Sequence, residues 1–254
     1  MSYLKTSIKA GKVEDTKVYH TSRHGSKKRP RSKNENRTCE SQKKINERNS
    51  LQKLTYEIHE NFREEDWYLT PTYGKGIKKL LQAEELKKNI NKYMRDMRTL
   101  YKKHGGVLKY ILITEYIKCR PHHHLLINNI GIRLKEVTQL WEFGFVRVNP
   151  YRGDIGDAER LANYFVKESN NTFNTEERVH GMRWVPSKNL KHPKPTKKVV
   201  PASTWRENPK PKKGYYIDSV MRGYTETNYP YMFYRMIKLP DEEGSEADEF
   251  GGEE

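Results

Sequence analysis

The chain has 254 residues, enough for one domain with extensions or two small domains. Its 49 Lys and Arg outweigh 33 Asp and Glu; residues 241–254 hold eight of the acids and no base, so residues 1–240 carry 25 acids against 49 bases and are drawn to a polyanion, nucleic acid before others. No run of 18 apolar residues exists and Cys39 and Cys119 form no CxxC, which excludes a membrane-spanning helix, a disulfide scaffold and a Cys-rich zinc finger.

Residues 1–38 are polar and lack apolar periodicity, so they read as a disordered basic arm, and no secretory signal is expected. A main domain is expected over 39–177. Its first helix runs from about 40 to 62, with a weak stripe of Ile45, Leu51, Leu54 and Ile58. Residues 67–73, WYLTPTY, read as a strand, and Pro71 argues for an edge position or a bulge. The spacing of Ile90, Tyr93, Met94, Met97, Leu100 and Tyr101 predicts a helix over 77–103, stopped by Gly105 and Gly106. Strands follow at 107–116 and 122–128. A short helix over 134–140, a strand over 143–148 and a helix over 157–168, with Asp157 as N-cap, complete the domain. This order predicts an α+β fold with a central antiparallel sheet and flanking helices. Residues 178–240 read as a basic, Pro- and Tyr-rich extension lying over something rather than forming a core, and 241–254 as a disordered acidic tail.

The sharpest feature is His122-His123-His124 at the start of a strand. Residues i and i+2 share a face, so His122 and His124 point one way and His123 the other. A four-residue connection over 117–120 sets Glu115 opposite His122 and Ile113 opposite His124. Glu115, His122 and His124 then form a two-histidine, one-carboxylate set that can hold a divalent ion with open positions. Paired positions must sum to an odd number for this to hold.

The second feature is Tyr164 on the helix over 157–168. Ala158, Leu161, Ala162, Phe165 and Val166 form the packed stripe. Tyr164 and Lys167 fall off it and, with Arg160, make a polar face of two cations around one phenol. Such cations favour the phenolate, a better nucleophile.

Together these motifs resemble the rolling-circle replication initiators of the HUH endonuclease superfamily, in the style of plasmid and phage Rep proteins. The likeness covers about residues 62–170: an aromatic, Thr-rich strand at 67–73, the His strand at 122–124 with Glu115 upstream, and Tyr-x-x-Lys from Tyr164 to Lys167. His123 is polar where that family usually has an apolar residue. The resemblance implies an RRM- or ferredoxin-like fold and a metal-dependent nuclease. Tyr164 would attack single-stranded DNA and form a 5′-phosphotyrosine bond, Lys167 would position the phosphate, and Glu115, His122 and His124 would hold Mg2+ or Mn2+. It also implies an origin hairpin as partner and the cytoplasm of a bacterial host. No G-x-x-x-x-G-K-[ST] occurs, so a separate helicase is expected. Arg160, Arg183, Lys188, Lys191, Lys194, Lys197 and Lys198 are candidate DNA contacts, interleaved with Trp184 and Trp205. Two other roles stand beside this one: a single-tyrosine transposase or relaxase, and a nucleic-acid-binding protein without catalysis.

Overall fold

A computed structural model of the chain describes residues 2–21, 39–77, 82–117, 119–173 and 178–240. The expected acidic tail and the Lys27, Lys28, Arg29 and Arg31 stretch of the expected arm lie outside these residues. In chain order the elements are β1 (Ser2–Ala10), β2 (Val13–His20), α1 (Glu40–Asn61), β3 (Trp67–Tyr73), α2 (Ala83–Lys103), β4 (Tyr110–Glu115) and β5 (His122–Ile127). They continue with α3 (Leu134–Gln139), β6 (Gly144–Pro150), α4 (Ile155–Phe173), β7 (Val185–Pro186), β8 (Thr196–Pro201), β9 (Tyr215–Tyr224) and β10 (Pro230–Lys238). The fold is α+β with two antiparallel five-stranded sheets. No helix among the described residues is long and apolar enough to cross a membrane.

The chain divides into two units, Pro30–Pro193 and Met1–Arg29 with Lys194–Glu254. In the first, the strand order is β6-β3-β5-β4-β7. Strand alternation splits the side chains between two cores. Leu69, Tyr73, Leu112, Leu125 and Ile127 pack with Ile90, Met94, Met97 and Tyr101 of α2 and with Val137 and Trp141. Ile111, Ile113 and Leu126 pack on the other face, with Leu54 and Ile58 of α1 and Ala158, Ala162 and Phe165 of α4. A capping box between Gln82 and Glu85 opens α2. The N-cap expectation for α4 shifts by one turn: the Asp154 carboxylate accepts the Asp157 N–H, while Asp157 accepts the Arg152 N–H at 2.9 Å.

Pro71 is not on an edge. β3 lies between β6 and β5. Its pairing with β6 is continuous, Pro71 facing Val146. Its pairing with β5 lapses after Leu69↔Leu125 and resumes at Thr72↔His122. Proline lacks the N–H that an interior ladder uses, so the ladder opens locally on one side. At the far end of β6, Gly144 runs so close to β3 that a Cβ there would overlap the Thr72 carbonyl oxygen.

The second unit corrects two expectations. Residues 2–20 are not an arm but a hairpin, turned at Gly11 with φ 55°. Residues 178–240 are not one extension. Val185 pairs with Leu112, and Trp184 is buried with its indole donating to Glu57 Oε2 at 3.2 Å, so 178–193 completes the first unit. Residues from 194 onward supply β8, β9 and β10 to a sheet of order β8-β1-β2-β10-β9. Its core is Tyr3, Val18, Met232, Tyr234 and Met236, with Trp205 against Tyr3 at 5.3 Å between ring centres. Arg235 holds the buried Asp15 in a two-bond fork, Nε–Oδ1 2.8 Å and Nη2–Oδ2 3.0 Å.

Candidate active site

β4 and β5 pair Glu115 with His122 and Ile113 with His124, positions that sum to 237 in each case. The predicted register therefore holds. All three donor side chains stand on the α1/α4 face, and their ligand atoms lie within 4.8 Å of one another. Glu115 Oε2 is 3.1 Å from His122 Nε2 and 3.3 Å from His124 Nε2. The outer ring nitrogens are occupied. His122 Nδ1 donates to the Arg120 carbonyl at 2.7 Å, and His124 Nδ1 meets the Tyr68 hydroxyl at 2.7 Å. Both Nε2 atoms are thus turned inward, the tautomer a metal ligand needs.

The charges divide unevenly. Burial opposes ionisation of Glu115, but hydrogen bonds from His122 and His124 outweigh it and hold the carboxyl well below its ordinary value. Burial also opposes the His122 imidazolium, yet bonding to Cys119, Glu115 and the Arg120 carbonyl raises it to about 10. Burial pushes His124 down. The empty site therefore carries one ion pair and one neutral histidine.

His123 points to the opposite face and is fully buried. Its Nε2 meets Tyr73 Oη at 3.2 Å, and its Nδ1 meets Thr114 Oγ1 at 2.8 Å. Thr114 Oγ1 also reaches His180 Nε2 at 3.0 Å. Both ring nitrogens are satisfied, so a polar residue is tolerated where an apolar one is usual.

Tyr164 reaches the cluster: its Oη lies 3.3 Å from His124 Nε2. Its expected surroundings need correction. Arg160 is engaged by Asp154 and Asp157, the latter at 3.1 Å, and Lys167 is exposed. The phenol is pushed up to about 12 by burial and by the negative charges of Glu168, Glu115 and Cys119. Without a metal the phenolate is disfavoured, because acidic groups and not cations surround the ring. Glu168, one helical turn from Tyr164 and hydrogen-bonded to Glu115, is a site residue that the sequence reading missed. Its i+4 spacing from Tyr164 was the available signal. Tyr68 was missed as well, though its parity within 67–73 places it on the face of the triad.

A cavity of about 820 Å3 opens over these residues. It is lined by Tyr68, His122, His124 and Tyr164 at one side and by Phe145, Arg147 and Arg120 at the other. Of the candidate DNA contacts, only Arg160 borders it. Lys188 and Lys191 are exposed on the same unit, Arg183 is half-buried, and Lys194, Lys197 and Lys198 are exposed on the other unit. Trp184 and Trp205 are spent on packing, so they do not interleave with the cations as stacking platforms.

Residues 66–172 match the family model of replication-associated proteins of the ORF2 type. This match is consistent with a replication initiator. It contains the triad, Tyr68 and Tyr164, and it stops short of the sheet built from the two ends of the chain. No curated protein and no solved structure matches the chain.

Tyr68 provides a direct test of the site. Tyr68→Phe removes the hydroxyl at His124 Nδ1 while leaving the ring in place. Divalent-metal affinity is expected to fall by about 10- to 100-fold, as for other outer partners of a ligating histidine. Calorimetric titration with Mn2+ measures it.

Proposed function

We propose that this protein nicks and rejoins single-stranded DNA at a replication origin through a 5′-phosphotyrosine bond on Tyr164. The observation that carries the reading is the Tyr164 hydroxyl at 3.3 Å from His124 Nε2, within a Glu-His-His donor set. Two inward imidazole nitrogens and a carboxylate oxygen fit a divalent ion, and the family resemblance favours Mg2+ or Mn2+. Such an ion would polarise the scissile phosphate. Tyr68 and the Arg120 carbonyl fix the two rings that would hold it.

Tyr164 Oη forms a bond to phosphorus as the bond from phosphorus to the 3′ oxygen breaks. The phenol gives up its proton, and the departing 3′ oxygen takes one up. The free energy of the phosphodiester is kept in the tyrosyl ester, so attack by a 3′-hydroxyl rejoins the strand without ATP. Lys167, on the same helix, would offset the charge that develops on the phosphate. A separate helicase would supply the single strand. Incubation with Mn2+ and single-stranded origin hairpins, followed by a denaturing gel, tests the reading: a protein–DNA adduct on Tyr164 supports it, and cleavage without adduct overturns it.

Lys191, Lys194, Lys197 and Lys198 are proposed to bind phosphates. Replacing all four with Ala should weaken DNA binding and flatten its salt dependence, by about 0.7 in log–log slope for each single-strand phosphate no longer neutralised. An unchanged slope by fluorescence anisotropy would place the DNA path elsewhere.

A further inference from the structure

Phe145 pairs with Thr72, Thr72 with His122, and His122 with Glu115. These four residues form one row across four strands, with their side chains on one face. Two strand spacings put Phe145 roughly 10 Å from His122. β6 is an edge strand, and the Phe145 ring is 50% exposed there. The Arg120 guanidinium lies over that ring at 5.4 Å from its centre, and its Nε is buried without a hydrogen-bond partner. Arg147, two residues along β6, stands on the same face and is exposed. All three side chains line the cavity that holds Tyr164. An edge strand needs a β-former at this position, not a large aromatic ring half in water, so packing alone does not account for Phe145.

We propose that Phe145, backed by Arg120, is a stacking shelf for one nucleobase of the bound single strand, with Arg147 on an adjoining phosphate. The inference rests on the nuclease reading and adds what sets the strand's register at Tyr164. Every base offers a π-face, so the shelf positions the strand without reading its sequence. A cation against the other side of the ring reinforces the stack.

Binding of oligo(dT) in EDTA, followed by fluorescence anisotropy over a range of salt, tests the shelf apart from catalysis. Phe145→Ala should lose affinity about tenfold at every salt concentration, with the salt slope unchanged. Phe145→Trp should keep the affinity. Arg147→Ala should instead lower the slope by about 0.7. Thermal melts of the variants check folding, which an exposed edge residue should not disturb. An oligonucleotide carrying 4-thiothymidine should photocrosslink to the peptide containing Phe145. Unchanged affinity in Phe145→Ala, or equal loss in Phe145→Trp, overturns the shelf alone, and the Tyr164 adduct then still reports on the nuclease reading. A wild-type protein that does not bind oligo(dT) overturns both.

Discussion

Tyr164→Phe should abolish nicking and the covalent adduct, by roughly 10⁴- to 10⁶-fold, the usual loss when a nucleophile is removed. The substitution deletes one oxygen, whose approach to the site is the 3.3 Å distance to His124 Nε2. The ring lies off the buried stripe of α4, whose members Ala158, Ala162, Phe165 and Val166 face the core, and is itself 39% exposed. Stability should therefore change by no more than about 0.5 kcal/mol. Single-strand binding should persist, because cations and stacking, not the hydroxyl, supply it. A burial-raised phenol also predicts that nicking depends on the metal, since nothing else near Tyr164 favours its anion. Peptide mapping of the wild-type adduct decides the matter. An adduct on Tyr151, which also lines the cavity but is 3% exposed, would assign the nucleophile to another residue.

Glu115→Ala should cut Mn2+ affinity by more than the roughly 100-fold expected for loss of an outer partner, and nicking with it. Glu115 is the only carboxylate of the donor set, and its Oε2 faces both Nε2 atoms. The wild-type affinity should also rise with pH. His122 keeps its proton up to about pH 10 in the empty site, and a bound ion must displace it. Without metal the same groups shape stability. Glu115 is held below its ordinary 4.5, so its contribution is present above that value and is lost as pH falls. His122 is raised above its ordinary 6.5, so its contribution is present below 6.5 and is lost as pH climbs through about 10. The variant should lack both slopes. Thermal melts with and without Mn2+ across this range measure these effects, and a Mn2+-induced rise in Tm that survives in Glu115→Ala would remove the carboxylate from the site.

Much of the triad was legible because its causes are local. Period-two alternation separates His123 from its neighbours, and a four-residue connection fixes the partner of each residue. The structure gives the same register, down to Glu115 opposite His122. β3 was legible for its composition, but its place was not. Pro71 argued for an edge, whereas the ladder accommodates it by opening over 70–71 beside the histidines. The off-stripe position of Tyr164 followed from helical spacing, and the structure adds what the ring meets: His124 and acidic groups, not the pair of cations that α4 alone suggested.

By itself, then, the sequence determined what short-range geometry controls: the helices of the first unit, the β4–β5 hairpin, the face shared by Glu115, His122 and His124, and the exposure of Tyr164. Tertiary structure alone decided what depends on distant partners. β1 pairs with β8, nearly two hundred residues away, and β2 with β10, so neither end of the chain reveals a sheet when read without the other. Hydrogen bonds between backbones carry no side-chain signature, and two polar, basic segments that satisfy each other read separately as tails. The charge state of Tyr164 and the row from Phe145 to Glu115 have the same origin. Each is set by which strands and helices lie side by side, and the spacing along one element is silent about its neighbours.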